Sequence, residues 1–132
     1  MKTSTLLFIT TLSTTVAATN ATATEVIVEI QNLSSETIKT YSSGFPKILS
    51  PGESESVTLN FPDHTSDVNI TYTGRSGKSC NFRGWHKHYG GDTTRWEARS
   101  TGSESYDNCG AVRSVSRWSS PFNYRLRFWM TD

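Results

Sequence analysis

Phe122-Asn123-Tyr124-Arg125-Leu126-Arg127-Phe128-Trp129-Met130 alternates without a break. Phe122, Tyr124, Leu126, Phe128 and Met130 fall on one side of an extended chain, with Asn123, Arg125, Arg127 and Trp129 on the other. Side chains of a strand point to opposite faces with a period of two, so this nonapeptide predicts a strand with one core face and one wet face. The period recurs upstream. Residues 25–31 set Val26, Val28 and Ile30 against Glu25, Glu29 and Gln31, and residues 56–61 and 67–72 repeat the pattern. Shorter runs at 37–41, around Cys80 and Phe82, at 95–99 and at 112–118 predict further strands. Ser42-Ser43-Gly44 and Ser50-Pro51-Gly52 punctuate the stretch between the second and third of them. Beyond the first 18 residues no apolar i, i+3, i+4, i+7 pattern lasts for three turns. About seven to nine short strands at this spacing predict an all-β fold, an antiparallel β-sandwich of immunoglobulin-like or cytolysin-like layout. That layout follows from strand physics and is no family signature.

Residues 1–18 read as a secretory signal peptide: Lys2 is the positive start, Leu6-Leu7-Phe8-Ile9 opens the apolar stretch, and Val16-Ala17-Ala18 permits cleavage. The stretch is too short and too rich in hydroxyls for a membrane span, which needs about 20 apolar residues. The expected organisation is therefore a signal at 1–18, a flexible stub at 19–24 and a single domain at 25–132. The expected location is extracellular, or periplasmic if the source is bacterial. In such an oxidising compartment Cys80 and Cys109 are expected to form a disulfide. Asn20, Asn32 and Asn69 each open an Asn-x-Ser/Thr sequon that a eukaryotic pathway could glycosylate.

Charge divides the chain. Residues 19–74 hold two bases against seven acids, a net charge of −5, while residues 75–132 hold ten bases against five acids, a net of +5. All eight arginines and all four tryptophans lie in the second part. Guanidinium groups bind phosphate, sulfate and carboxylate through paired hydrogen bonds and stack on aromatic rings, which suits an anionic partner. The competing outcome is internal: strands carrying Glu25, Glu29, Glu53 and Glu55 would neutralise the arginines if they pair with them.

The densest polar-aromatic stretch is Trp85-His86-Lys87-His88-Tyr89-Gly90-Gly91-Asp92, read as a solvated loop turned by the two glycines. His86 and His88 share a side of an extended chain. They would form a metal site only with a third ligand such as His64, Asp92 or Glu97. Gly74-Arg75-Ser76-Gly77-Lys78-Ser79 lacks the first glycine of a phosphate-binding loop, since position 72 is Tyr72, and reads as a basic hairpin turn.

These readings predict a secreted binding protein, of virulence-effector or toxin type, acting without a cofactor. Its partner would be an anionic or carbohydrate surface on a cell (a glycan or lipid headgroup), ahead of nucleic acid. The expected contacts are Trp85, His86, His88, Tyr89, Arg125, Arg127 and Trp129. The rival is a small secreted hydrolase such as a ribonuclease, with His86 or His88 as base or acid, Glu97 as its partner and Arg99 (or Arg113) for the developing charge.

Overall fold

The computed structural model describes residues 22–103 and 107–132. The expected signal at 1–18, residues 19–21 of the stub and Asn20 of its sequon lie outside them. Among the described residues nine strands follow one another: β1 (Thr24–Asn32), β2 (Ile38–Lys39), β3 (Ile48–Leu49), β4 (Ser54–Phe61), β5 (Thr65–Gly74), β6 (Ser79–Gly90), β7 (Thr93–Gly102), β8 (Cys109–Arg117) and β9 (Phe122–Met130). They form a β-sandwich of two sheets, ordered β4-β1-β9-β8 and β3-β2-β5-β6-β7. No helix among the described residues is long and apolar enough to cross a membrane.

The alternation read from sequence is the burial pattern of the structure. Val26, Val28 and Ile30 of β1 and Tyr124, Leu126 and Phe128 of β9 are fully buried. The other sheet answers with Val68, Ile70 and Tyr72 of β5 and Cys80 and Phe82 of β6. Phe82 and Phe128 stack across the sandwich with centroids 4.9 Å apart. Ladders are antiparallel with one exception. β1 and β9 run parallel, with Ile27 opposite Arg125 and Glu29 opposite Arg127. A parallel neighbour needs a crossover rather than a hairpin, and here all the intervening strands supply it, so the ends of the domain meet in one sheet.

The extended chain also begins earlier and lasts longer than the sequence suggests. Ala23 already bonds Phe61 and Phe122 through its backbone. Residues 85–90, expected in a loop, are the second half of β6, which turns at Gly90 and Gly91 (φ 97° and 57°). Both turn residues occupy the left-handed region that glycine enters without a Cβ penalty.

At Gly84 the two sheets approach closely, because a Cβ there would collide with both δ-methyls of the buried Leu126. Gly84→Ala is expected to cost about 1–3 kcal/mol through overpacking. Adding Leu126→Ala should return part of that loss. Thermal melts of the two variants check this, and an unchanged melting temperature in Gly84→Ala would refute the close approach.

The disulfide joins the sheets. Cys80 on β6 and Cys109 at the start of β8 are bonded, with Cα atoms 5.7 Å apart. At the same end Asn32 is fully buried: its Nδ2 donates to the carbonyls of Glu36 and Leu49, and its Oδ1 accepts from the N–H and hydroxyl of Ser34. Folding therefore closes the Asn32 sequon, whereas Asn69 is exposed on β5.

Candidate functional site: an aromatic and histidine-lined end beside an arginine flank

The chain's three histidines meet at the end of the sandwich opposite the disulfide. Residues of even number on β6 face inward, so His86 and His88 continue the row of Cys80, Phe82 and Gly84. His64, just before β5, lies against His88 with ring centroids 6.1 Å apart. Phe122 at the start of β9 packs against all three imidazoles at 4.9–5.7 Å.

His86 is a core residue, 1% exposed. Its Nδ1 and the Ser66 hydroxyl are 2.6 Å apart, and that hydroxyl is 2.6 Å from the Tyr124 hydroxyl. The ring stacks on Trp96 at 4.8 Å. Burial, then the neighbouring His88 and His64, push its pKa down to about 4, so it is neutral at physiological pH. Burial raises Tyr124 to about 12, which keeps the phenol protonated as a donor or acceptor. The trio is a satisfied polar cluster inside an aromatic cage.

Above it lies an open cleft of about 540 Å³, bounded by His64, His88, Asp92, Thr94, Trp118 and Phe122. Ser119 and Ser120, of the loop between β8 and β9, complete its rim. His88 is held by Thr94, whose hydroxyl is 2.8 Å from Nδ1. Trp118 stands edge-on against Trp96 at 5.7 Å yet remains 66% exposed. Among the described residues no group of three His, Cys, Asp or Glu side chains is placed to hold a metal ion.

Six of the eight arginines fall into two populations. On the outer face of the first sheet, Glu29 lies 3.5 Å from Arg125 and 3.6 Å from Arg127, and it also accepts from Gln31. The Glu29 carboxylate is only 16% exposed, and the parallel register puts it between the two guanidinium groups. Glu25 bonds Asn123 instead, and Glu53 accepts from the Ser50 N–H. The sequence had named Glu25, Glu29, Glu53 and Glu55 as competitors for the arginines; of these, Glu29 alone is ion-paired among the described residues.

Along the flank where β7 and β8 adjoin, the outcome is different. Among the described residues, Arg95 and Arg99 on β7 and Arg113 and Arg117 on β8 share one ion pair, Arg99 with Glu97 at 3.8 Å. Arg95 instead lies over the Tyr89 ring, as does Lys87, at 5.6 and 5.1 Å. Trp96, Ala98, Val112 and Arg113 line a shallow groove of about 300 Å³ in the seam. The Trp96 Nε1–H is buried there without a hydrogen-bond partner among the described residues, an arrangement that costs about 1–3 kcal/mol.

The residues singled out from sequence are thus distributed over three surfaces. Trp85 and Tyr89 have the outward parity of β6, on the outer face of the second sheet. His86 and His88 point into the sandwich, and Arg125, Arg127 and Trp129 lie on the outer face of the first sheet. Glu97 and Arg99 of β7 face outward, Glu97 standing opposite Trp85. They are separated by the sheet from the two histidines with which a hydrolase would need them to converge.

The sequence reading passed over Trp118, Phe122 and Trp96, and weighed His64 and Asp92 only for a metal. No protein-family model matches the chain, and no curated protein matches it in sequence.

Proposed function

We propose that this chain is a secreted binding protein, of effector or toxin type, that engages anionic carbohydrate through the β7–β8 flank. One observation carries the reading. Arg95, Arg99, Arg113 and Arg117 crowd two adjoining edge strands with a single carboxylate, Glu97, among them. Guanidinium groups that lack internal partners among the described residues retain their donors for sulfate or carboxylate oxygens. Residues four apart on a strand are about 13 Å from each other, so Arg95 and Arg99 offer two cationic points along β7, while on β8 Arg113 stands opposite Leu126 and Arg117, past the register shift, opposite Asn123, one on each face of the same edge. A narrow ridge of this kind suits a linear polyanion better than the broad plane of a bilayer. The disulfide fits an oxidising destination.

This relocates the binding face from the β9 arginines. Exposed ion pairs contribute only about 0–1 kcal/mol to stability, but Glu29 still cancels much of the positive field of Arg125 and Arg127. Binding to immobilised heparin, a sulfated polysaccharide, tests the reading directly. Affinity is expected to fall steeply as salt rises. Arg113→Ser with Arg117→Ser should weaken binding by about ten-fold, equivalent to about 1.4 kcal/mol. Arg125→Ser should change it less than about two-fold, equivalent to about 0.4 kcal/mol. A salt-independent affinity, or equal losses at both sites, would remove the flank as the binding surface. Binding confined to anionic vesicles would replace the proposed partner.

A further inference from the structure

The cleft at the histidine end has a chemistry unlike that of the flank, and we infer that it is a separate site for a neutral pyranose ring of a glycan. Three features of the cleft carry this. Its volume, about 540 Å³, lies within the range of small-molecule sites. Trp118 presents a large flat apolar surface to solvent at 66% exposure, anchored by its edge contact with Trp96. Asp92, His64, His88, Thr94, Ser119 and Ser120 surround that surface with acceptors and donors. A pyranose is built the same way. One face is a patch of C–H groups that packs on an indole, and its rim is a ring of hydroxyls that each donate and accept.

The polar groups are available. Neither the Asp92 carboxylate nor the His64 imidazole has a hydrogen bond or ion pair among the described residues. His88 uses Nδ1 on Thr94, which leaves Nε2 for a ligand hydroxyl. The support is rigid as well: Thr94 fixes His88 from β7, Phe122 packs on both cleft imidazoles, and His86 beneath is locked by Ser66.

Other ligand classes fit the lining less well. A carboxylate or sulfate would meet Asp92, a fatty chain would strand the six polar side chains, and no metal cluster is present among the described residues. The neutral class also separates this cleft from the flank, whose proposed ligand is charged.

The experiment uses the folded full chain and a panel of neutral oligosaccharides with gluco, galacto, manno and N-acetylglucosamine units. Binding is followed by the tryptophan indole N–H resonances in NMR and by intrinsic fluorescence at high salt, where the flank is screened. At least one saccharide is expected to shift a single exposed indole signal, absent from Trp118→Phe, with sub-millimolar to millimolar affinity. Read by titration calorimetry, because the reporting indole is gone, Trp118→Ala should weaken that binding by about ten-fold or more, on the scale of one lost aromatic stacking contact. Asp92→Asn, on an exposed turn where folding is not at risk, should weaken it several-fold.

The Arg113→Ser, Arg117→Ser variant should retain it while losing heparin, so failure of the flank and failure of the cleft are read separately. No shift with any saccharide, or an affinity that calorimetry finds unchanged in both cleft variants, would overturn the assignment. Binding of tetramethylammonium in place of every sugar would also overturn it, by showing that Asp92 and the rings select a cation.

Discussion

Replacing Cys80 and Cys109 together by alanine is expected to destabilise the domain by about 3–4 kcal/mol. The bond closes a loop of 29 residues, and on the chain-entropy account that constraint removes about 3.5 kcal/mol of freedom from the unfolded chain. For a domain of this size the midpoint of urea unfolding should move down by roughly 2 M. The loss should not be uniform. β8 is an edge strand with a ladder only to β9, and the disulfide is its covalent tie to the opposite sheet. Amides of β8 are therefore expected to lose hydrogen-exchange protection before those of β1 and β9, and heparin binding through Arg113 and Arg117 should weaken with them. An unchanged urea midpoint, or loss of protection spread evenly over both sheets, would show that the bond does not organise this flank.

The periodicity of β1 and β9 could be read in the sequence because each strand has one dry and one wet face. Its alternating residues report that division directly. What periodicity does not specify is the neighbour. That β9 lies beside β1, and in parallel, decides that Glu29 meets Arg125 and Arg127, and this register arises from the packing of the whole sandwich. The second half of β6 was misread for a different reason. Trp85, His86, Lys87, His88 and Tyr89 are polar and aromatic by turns, so hydropathy alone describes a loop. Parity was the available signal: His86 and His88 are in step with Cys80 and Phe82, which are buried in the core. The cleft was the least legible feature. His64, Asp92 and Trp118 come from three separate turns at the ends of different strands, and only the closure of the two sheets brings them together. Net charge misled in the same way, since four of the eight arginines share a flank while Arg125 and Arg127 lie beside Glu29 and Arg83 is fully engaged by Asp67 at 2.9 Å.

Acid should loosen the histidine end. Between pH 6.5 and pH 4 the domain is expected to lose up to about 3 kcal/mol of stability through His86 alone, at no more than about 1.4 kcal/mol per pH unit. Burial is the main cause of its lowered pKa of about 4, against 6.5 for the free side chain. Within this window the unfolded chain takes up a proton that the folded chain refuses, so falling pH favours unfolding, and the loss levels off below pH 4. The groups that contact the ring are Thr24 of β1, Ser66 of β5, Trp96 of β7, and Phe122 and Tyr124 of β9. None of them is a carboxylate that could stabilise an imidazolium, while His64 and His88 nearby oppose it further. Asp132 at the opposite end, held low by the Ser35 N–H, titrates beneath this window and does not blur it. Urea unfolding of the wild type at pH 7, 5.5 and 4.5 should show the fall, and His86→Gln should flatten it, even though the variant starts from a lower stability at pH 7. If the slope survives in His86→Gln, the acid sensitivity belongs to other groups. If the wild type shows no slope, His86 is not held neutral by burial. The expected fall ties the acid response to the layer on which the cleft rests, since His86 supports Phe122 and Trp96, and these in turn seat His88 and Trp118.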